Sequence, residues 1–449
     1  MRSRRSLLLI GAIPAVFLGY FFIYPVLTIL YTGLGPDGEI ATSAFTEALT
    51  SPSVRGVAWF TLWQALLSTV LTVSIGLPIA YVFARYRFPG RSLLRSLTLV
   101  PFVLPTIVVG VAFLAVLGPG APFGVNLRGT IWAILFAHVF YNLAIVIRGV
   151  GAFWEQVDPR LEDAARVLGA GTLRVFRTVT LPLLRPAILS SAALVFLFSF
   201  TSFGVILVLG DLRHTTLEVE IWRQATAFLR LDLAAALAVL QLVGVSVLLV
   251  LYGRARKRRS AELALRPSQE VARAPRSTRE WAVVATTLGL LAMIVVTPLA
   301  VLMWRSLSTP SGIGLSNYAN LIDPPRASAV FVSPTDAIAN TLQFAIPAVL
   351  IAGGIGLLAA TVIVSARGRS GRVFDTVLML PLGTSAVTIG FGFLVALDQP
   401  VDLRASILLI PIAHALVAIP FVVRSTVPVM ESIQHRLREA AAVLGASPR

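Results

Sequence analysis

Cysteine is absent from the 449-residue chain, and lysine occurs once, at Lys257. Without cysteine the chain can form no disulfide, no thiolate metal site and no cysteine nucleophile. The single lysine lies in an Arg-Lys-Arg-Arg run, so the chain lacks the Gly-x4-Gly-Lys-Ser/Thr loop that cradles ATP phosphates. Charged residues make up only 13% of the chain, about half of their share in soluble domains. This low share of charge, with a mean hydropathy of +0.85, excludes a water-soluble globule.

Long apolar stretches take the place of the missing charge, because 57% of the residues are of hydrophobic types. A helix needs about 20 apolar residues to cross the hydrocarbon core of a bilayer. The first such stretch follows three arginines, but it is longer than a signal-peptide core and has no clear cleavage site, so we predict a retained helix. The sequence predicts ten membrane spans, at 7–30, 57–84, 96–117, 130–150, 186–209, 232–252, 281–304, 338–365, 375–397 and 405–425.

The number of basic residues alternates between high and low in the successive segments between these spans. With the N-terminus in the cytoplasm, the inner segments hold 27 lysines and arginines and the outer segments hold 8. Such an excess on one side is typical of the cytoplasmic face. The net charge of +16 therefore reports topology, and we expect membrane lipid around the chain and no nucleic-acid partner.

The chain also contains an internal repeat. Ile75-Gly76-Leu77 recurs as Ile355-Gly356-Leu357, 280 residues later. After a shorter external loop the offset becomes 276, and Leu161–Ala170 recurs as Leu437–Ala446. Both halves begin on the predicted cytoplasmic side, so the repeats are parallel and related by an axis along the membrane normal.

The predicted fold is an all-α polytopic membrane protein built from two parallel six-helix repeats. Residues 1–252 form the first repeat, 253–280 a basic cytoplasmic linker and 281–449 the second repeat. The linker is interpreted as a flexible tether, with binding of lipid or of a partner as the alternative. The second repeat has four predicted helices, so we expect it to be truncated after its fourth helix, within a twelve-helix protein.

The predicted cytoplasmic loop at 158–182 is the most informative segment. Asp158-Pro159 is typical of a helix start, since Asp caps free N–H groups and Pro is tolerated in the first turn. Gly169 can end that helix because it adopts positive φ, and Leu181-Pro182 is expected to end a second short helix. Between them lies a narrow apolar face that calls for a covering partner, made by Leu161, Ala164, Ala165 and Leu168.

Asp163-Ala164-Ala165, three residues, Gly169, nine residues and Val179-Thr180-Leu181-Pro182 resemble the EAA loop of binding-protein-dependent ABC importer permeases. That pattern reads Glu-Ala-Ala, three residues, Gly, nine residues, Ile-x-Leu-Pro, so the chain departs from it only by Asp163 and Val179. A partial second copy at 432–449 keeps the Glu-Ala-Ala and Gly positions, at Glu439, Ala440, Ala441 and Gly445.

The resemblance implies the type I ABC importer transmembrane fold with both halves fused in one chain. It also implies a bacterial inner-membrane permease that is not an enzyme, binds no cofactor, and works with two copies of an ATP-binding cassette subunit and an external substrate-binding protein. The alternative for the loop is that it packs only on its own membrane domain. The residues expected to couple to the ATPase subunits are Asp163, Ala164, Ala165, Gly169, Leu181, Pro182, Glu439, Ala440, Ala441 and Gly445.

Polar residues inside the predicted spans have two interpretations. Most are expected to form interhelical hydrogen bonds worth about 1 kcal/mol or less each. His138 and its repeat equivalent His414, together with Asn142, are also candidates for a substrate path. No Asp or Glu lies near the centre of a predicted span, which disfavours a twelve-helix secondary transporter, because such proteins carry coupling charges there.

The substrate is open at this point. The fused arrangement resembles two families of permeases, those for thiamine and those for iron(III). The stretch from Phe198 to Phe203, and then Thr216 to Trp222, is more similar to the thiamine permeases, so thiamine is favoured. Iron(III) is the alternative, followed by a solute such as an organophosphonate or a polyamine.

Overall fold

The computed structural model describes residues 4–34, 42–257, 272–310, 312–322, 333–366, 369–399, 401–432 and 443–444. Most of the described chain is helical, turns and loops connect the helices, and the paired strands of the described residues form one small antiparallel ladder between β1 (Ser308–Thr309) and β2 (Gly312–Ile313). This composition agrees with the predicted all-α membrane fold.

The helices before the linker are, in chain order, α1 (Arg4–Leu18), α2 (Tyr24–Leu34), α3 (Ser43–Thr50), α4 (Pro52–Arg85), α5 (Arg91–Leu97), α6 (Val100–Val103), α7 (Thr106–Leu117), α8 (Ile131–Trp154), α9 (Arg160–Val167), α10 (Thr172–Val175), α11 (Leu181–Phe200), α12 (Gly204–Leu209), α13 (Leu217–Thr226) and α14 (Leu231–Lys257). π-Helical turns at Gly19–Ile23 and Phe176–Thr180 join α1 to α2 and α10 to α11. The later helices are α15 (Thr278–Leu307), α16 (Ser316–Ile322), α17 (Pro334–Ser365), α18 (Arg369–Met379), α19 (Ala386–Ala396) and α20 (Leu409–Ser432).

Within the described residues, eight helices are long and apolar enough to cross a membrane, and a bent pair makes a ninth. The bent pair is the predicted span at 96–117, where the segments on either side of Leu104-Pro105 meet at 103°. Leu104 is extended, with ψ at 139°, because a residue before proline avoids the helical region. Pro105 therefore bends this span.

Two predicted spans need correction. The stretch at 375–397 is not one helix, because α18 ends at Met379 and a 3-10 turn containing Pro381 separates it from α19. The span predicted at 186–209 begins earlier and ends at Phe200, and α12 is a separate short helix. The mean hydropathy of a whole span does not detect these breaks, since each is a short interruption, at 201–203 and at 380–385, between apolar helices.

The described chain forms two compact units, and one of them comprises Leu49–Glu220 and Gly244–Asn317. Its centre is the packing of α4, α8 and α11. Aromatic and β-branched side chains fill one core cluster, which includes Phe60, Val109, Phe113, Phe140 and Ile206. The helix α15 belongs to the same unit, because Leu291 and Val295 are buried against Ile79 and Phe83 of α4.

The other unit comprises Met1–Ala48, Ile221–Val243 and Tyr318–Arg449. Its centre is the packing of α17 against α20, with α1 on α17 and α2 on α19. Leu18 and Phe22 from the start of the chain are buried with Phe393 and Leu416. The first helix of the chain thus packs among helices of the second repeat, whereas α15 packs among helices of the first. The compact units therefore do not follow the order 1–252 and 281–449.

Candidate functional site

The segment from 158 to 182, called the EAA-like loop below, begins and turns as its sequence predicts. The carboxylate of Asp158 accepts a hydrogen bond from the Arg160 backbone N–H at 3.0 Å, so it caps the start of α9. Gly169 has φ at +84°, and its N–H donates to the Arg166 carbonyl at 2.9 Å. A positive φ of this kind suits glycine at a helix end.

The second part of the loop differs from the prediction. Leu181-Pro182 does not end a short helix, because α10 continues through the π-helical turn Phe176–Thr180 into α11 without a break. Pro182 has no N–H to donate, and a π-helical turn shifts the hydrogen-bonding register, which lets the helix continue through the proline. The EAA-like loop is therefore joined stiffly to the membrane span that follows it.

An exposed apolar ridge covers the outer side of α9 and the following turn. Val167 and Leu168 are each 88% exposed, and Leu173 is 62% exposed. Leu161 and Ala164 are exposed as predicted, while Ala165 is half-buried. The prediction missed Val167 and Leu173, although both are apolar residues beside the predicted face.

The acidic residue of the EAA-like pattern points outward. An oxygen of Asp163 lies 2.6 Å from a guanidinium nitrogen of Arg166, and the Asp163 side chain is 65% exposed. Leu181 and Pro182 are also exposed, at the start of α11. The pattern residues on the first loop are therefore accessible to a partner.

The residue before Asp163 behaves in the opposite way. Glu162 is buried, and its carboxylate accepts hydrogen bonds from Arg85 and from the Thr180 hydroxyl, each at 3.0 Å. Arg166 adds a third contact at 3.4 Å. The Arg85 guanidinium also donates to the Val157 carbonyl at 3.1 Å. No local sequence pattern marks this cluster, since Arg85 and Glu162 are far apart in the chain.

A second group of ion pairs lies at the end of α8. The Glu155 carboxylate is 2.8 Å from Arg91 and 2.6 Å from Arg95. These contacts join α5 to the end of α8, just before the EAA-like loop. They give partners to two of the three arginines between α4 and α6, which the charge count had interpreted only as a topology signal.

Most of the second copy of the pattern lies outside the described residues, including Glu439, Ala440, Ala441 and Gly445. Val443 and Leu444 are described, and both are 87% exposed. With the offset of 276 they are the equivalents of Val167 and Leu168. Both copies therefore present the same pair of apolar side chains to the outside.

The predicted path residues of the first repeat lie in a buried polar cluster. The His138 imidazole is bonded at both nitrogens, to the hydroxyls of Ser68 and Ser202, each at 2.9 Å. Asn142 donates to the Ser199 hydroxyl at 3.3 Å. Serines from α4 and from around the end of α11 thus converge on two side chains of α8, which matches the interhelical interpretation.

His414 is in the other unit and is exposed. Its surroundings differ from those of His138, because the equivalent of Ser68 at the 280-residue offset is Ala348. The repeat has therefore kept the imidazole at this position without the serine that binds it in the first half.

A set of long apolar helices with one bent span and an exposed loop of this kind defines a polytopic membrane protein. The family model for the binding-protein-dependent transport system inner membrane component matches residues 73–260. A thiamine transport system permease protein of Brucella suis is 30% identical over 407 residues, which is 87% of this chain and 72% of that protein. The chain therefore belongs to the family of binding-protein-dependent ABC importer permeases.

Other relatives carry different names. A probable ABC transporter permease protein of Sinorhizobium fredii is 27% identical over 95% of this chain and 79% of its own length. A sulfate transport system permease protein of Salmonella typhimurium is 32% identical over 48% of this chain and 80% of its own length. A chain of the bacterial alginate ABC transporter, solved in complex with an alginate-bound periplasmic protein, aligns with a TM-score of 0.49 at 16% identity, covering 58% of this chain and 97% of that one.

Proposed function

We propose that this chain is the translocation subunit of an ATP-driven importer of the bacterial inner membrane, with its N-terminus in the cytoplasm. Two copies of an ATP-binding cassette subunit supply the energy, and an external substrate-binding protein delivers the solute. The observation that carries this proposal is the EAA-like loop, which exposes an apolar ridge in a chain of the permease family. The excess of arginine on the predicted inner side supports the orientation.

In this proposal the ridge of α9 is the surface that the cassette subunit covers. Exposed Val167 and Leu168 supply apolar contact area, and Ala164 lets the two surfaces approach closely. The Asp163 carboxylate offers an exposed acceptor beside this area. Gly169 sets the turn that presents the ridge, and Glu439, Ala440, Ala441 and Gly445 are proposed to do the same in the second copy.

The proposed solute is thiamine. The 30% identity to the thiamine transport permease of Brucella suis over 87% of this chain supports it, together with the likeness at 198–203 and 216–222. Iron(III) remains the alternative from the sequence resemblance. The relative named for sulfate adds an anion to the candidate solutes. Of the three candidate path residues, His414 keeps an exposed imidazole, and we propose it as the one that contacts a solute.

The substrate is tested by uptake in a thiamine auxotroph that expresses the permease with its cassette subunit and binding protein. We expect growth on limiting thiamine and ATP-dependent uptake of labelled thiamine. Failure to rescue, with the complex assembled in the membrane, would remove thiamine and leave the importer assignment intact. His414→Ala is expected to raise the KM for uptake without changing the amount of complex.

The docking role is tested with Asp163→Arg, which reverses the exposed charge beside the ridge. We expect loss of co-purification with the cassette subunit while membrane insertion stays normal. Asp402→Arg is the matched control, since Asp402 is also an exposed acid paired with an arginine, Arg404, at 2.9 Å, but lies in a predicted external segment. Normal co-purification and uptake with Asp163→Arg would contradict the docking role.

A further inference from the structure

The helix α9 has one buried residue, and that residue is charged. All residues of α9 are described, and among them only Glu162 is buried. The apolar side chains of this helix point outward instead, with Val167 88% exposed and Leu161 47% exposed. The helix therefore has no fully buried apolar side chain, since Ala165 is only half-buried, and Glu162 is its one buried side chain.

Glu162 connects three elements of the same unit. Arg85 is the last residue of α4, and its guanidinium lies 3.0 Å from the Glu162 carboxylate. Thr180, at the end of the π-helical turn before α11, donates to the same oxygen of Glu162 at 3.0 Å. Arg85, Glu162 and Thr180 are called the loop anchor below. The side chains of Arg85 and Glu162 are only 8% and 10% exposed.

Buried ion pairs are weak devices for stability, because desolvation of the two charges offsets most of their attraction. Their attested use is in fixing one arrangement among several. In this structure the Arg85 guanidinium donates hydrogen bonds to two acceptors, the Glu162 carboxylate and the Val157 carbonyl. One guanidinium thus holds both the segment that enters α9 and the first turn of α9.

The second repeat lacks the same charges in its sequence. At the two repeat offsets, Arg85 corresponds to Ser365 and Glu162 to Arg438. Arg166, which also contacts Glu162, corresponds to Ala442. Serine and arginine at these positions cannot make a carboxylate–guanidinium pair, so the sequence of the second repeat does not reproduce the pairing of Arg85 with Glu162.

We propose that Arg85 and Glu162 are positioning residues that transmit movement of the first EAA-like loop to α4, and that the two loops of this chain couple unequally. The inference rests on the proposed docking of the loop onto a cassette subunit. A cassette subunit that moves α9 displaces the Glu162 carboxylate, and the ion pair carries that displacement to the end of α4. The second repeat lacks a carboxylate at one equivalent position, Arg438, and a guanidinium at the other, Ser365.

The test uses the full permease reconstituted in proteoliposomes with its cassette subunit and binding protein. Glu162→Gln keeps the shape of the side chain but removes the charge, leaving Arg85 buried with a weaker partner. We expect co-purification of the cassette subunit and its ATP hydrolysis to persist, while solute imported per ATP falls by about tenfold, a loss in keeping with breaking a buried pair. Arg438→Gln, the equivalent change in the second repeat, is expected to leave this ratio within about twofold of the wild type, since the positions equivalent to Arg85 and Glu162 hold Ser365 and Arg438 and a change that breaks no such pair usually has a small effect.

Two further variants separate transmission from simple loss of folding. The exchange of charges in Arg85→Glu with Glu162→Arg is expected to recover part of the import ratio that either single change removes. In the cysteine-free chain, Arg85→Cys with Glu162→Cys joined by a short bis-thiosulfonate cross-linker, which forms two reducible disulfides with release of sulfinate, is expected to import with the linker in place and to lose coupling after reduction.

An unchanged import ratio with Glu162→Gln would overturn the inference, as would an equal loss with Arg438→Gln. If the Glu162→Gln protein fails to assemble, the cross-linked cysteine variant tests the inference in its place. An import ratio that does not change when the cross-link is reduced would then contradict the transmission of movement through this pair. Absence of cassette-subunit binding by the wild-type chain would instead contradict the proposed function, so the two failures are distinguishable.

Discussion

Gly76 of α4 lies directly against Val146 of α8, and the repeat reproduces this contact between Gly356 and Val422. A Cβ atom added at Gly76 would lie 2.6 Å from a methyl carbon of Val146, and one added at Gly356 would lie 2.6 Å from a methyl carbon of Val422. The first members of these pairs are 280 residues apart and the second members 276, the same offsets that the sequence shows. The repeat is therefore present in side-chain packing as well as in the order of residues.

This contact predicts the effect of Gly76→Ala. Small residues let membrane helices approach closely, and an added methyl group here must push α4 and α8 apart, at a cost of about 1–3 kcal/mol. We expect a lower thermal midpoint for the solubilised protein. Gly56→Ala in the same helix is the control, because a Cβ there has no heavy atom within 4 Å. Recovery in the double change with Val146→Ala is expected, and its absence would contradict the packing explanation.

Gly169 predicts a conformational effect on the EAA-like loop. A Cβ at Gly169 would meet no atom within 4 Å, but φ is +84°, so Gly169→Ala costs about 1–2 kcal/mol for backbone reasons alone. We expect weaker co-purification of the cassette subunit and faster amide exchange across 160–175. Gly169→Asn should retain more binding, since Asn tolerates this region.

The control for that change lies two residues further on. Gly171 has φ at −67°, which any residue adopts, so Gly171→Ala is expected to bind normally. Equal losses at Gly169 and Gly171 would show that the methyl group blocks docking and that the backbone conformation is irrelevant.

The apolar ridge predicts a loss of association without a loss of folding. Leu168→Glu places a charge where the proposed partner buries an 88% exposed side chain, and a change at the centre of an interface commonly costs 1 kcal/mol or more. We expect at least about a tenfold rise in the Kd for the cassette subunit, measured by titration in detergent. Leu93→Glu, at a 65% exposed leucine of α5, should leave the Kd unchanged.

His138 predicts a structural effect and no change in substrate affinity. Ser202→Ala removes one of the two hydroxyls on the imidazole, which costs about 0.6–1 kcal/mol within a membrane bundle. We expect a lower thermal midpoint with the KM for uptake unchanged. A raised KM with normal stability would place His138 on the solute path instead.

Whether a structural feature can be predicted from the sequence depends on how far apart in the chain the interacting residues lie. Asp158 and Gly169 could be predicted because capping and positive φ are local properties of the backbone. The loop anchor could not be predicted, since Arg85 lies on another helix than Glu162 and nothing near either residue marks the pair. The packing of α1 with α17 was equally hidden, because a hydropathy pattern identifies a span without identifying its neighbours.

The central claim is that the exposed EAA-like loops connect this permease to an ATP-hydrolysing subunit. The most direct measurement is solute import into proteoliposomes that contain the chain, its cassette subunit and its binding protein, with and without ATP inside the cassette-facing compartment. The account predicts import that requires ATP and is abolished by Leu168→Glu together with Leu444→Glu, with the permease still inserted. Import that proceeds without ATP, or that is unchanged by the double substitution, would contradict it.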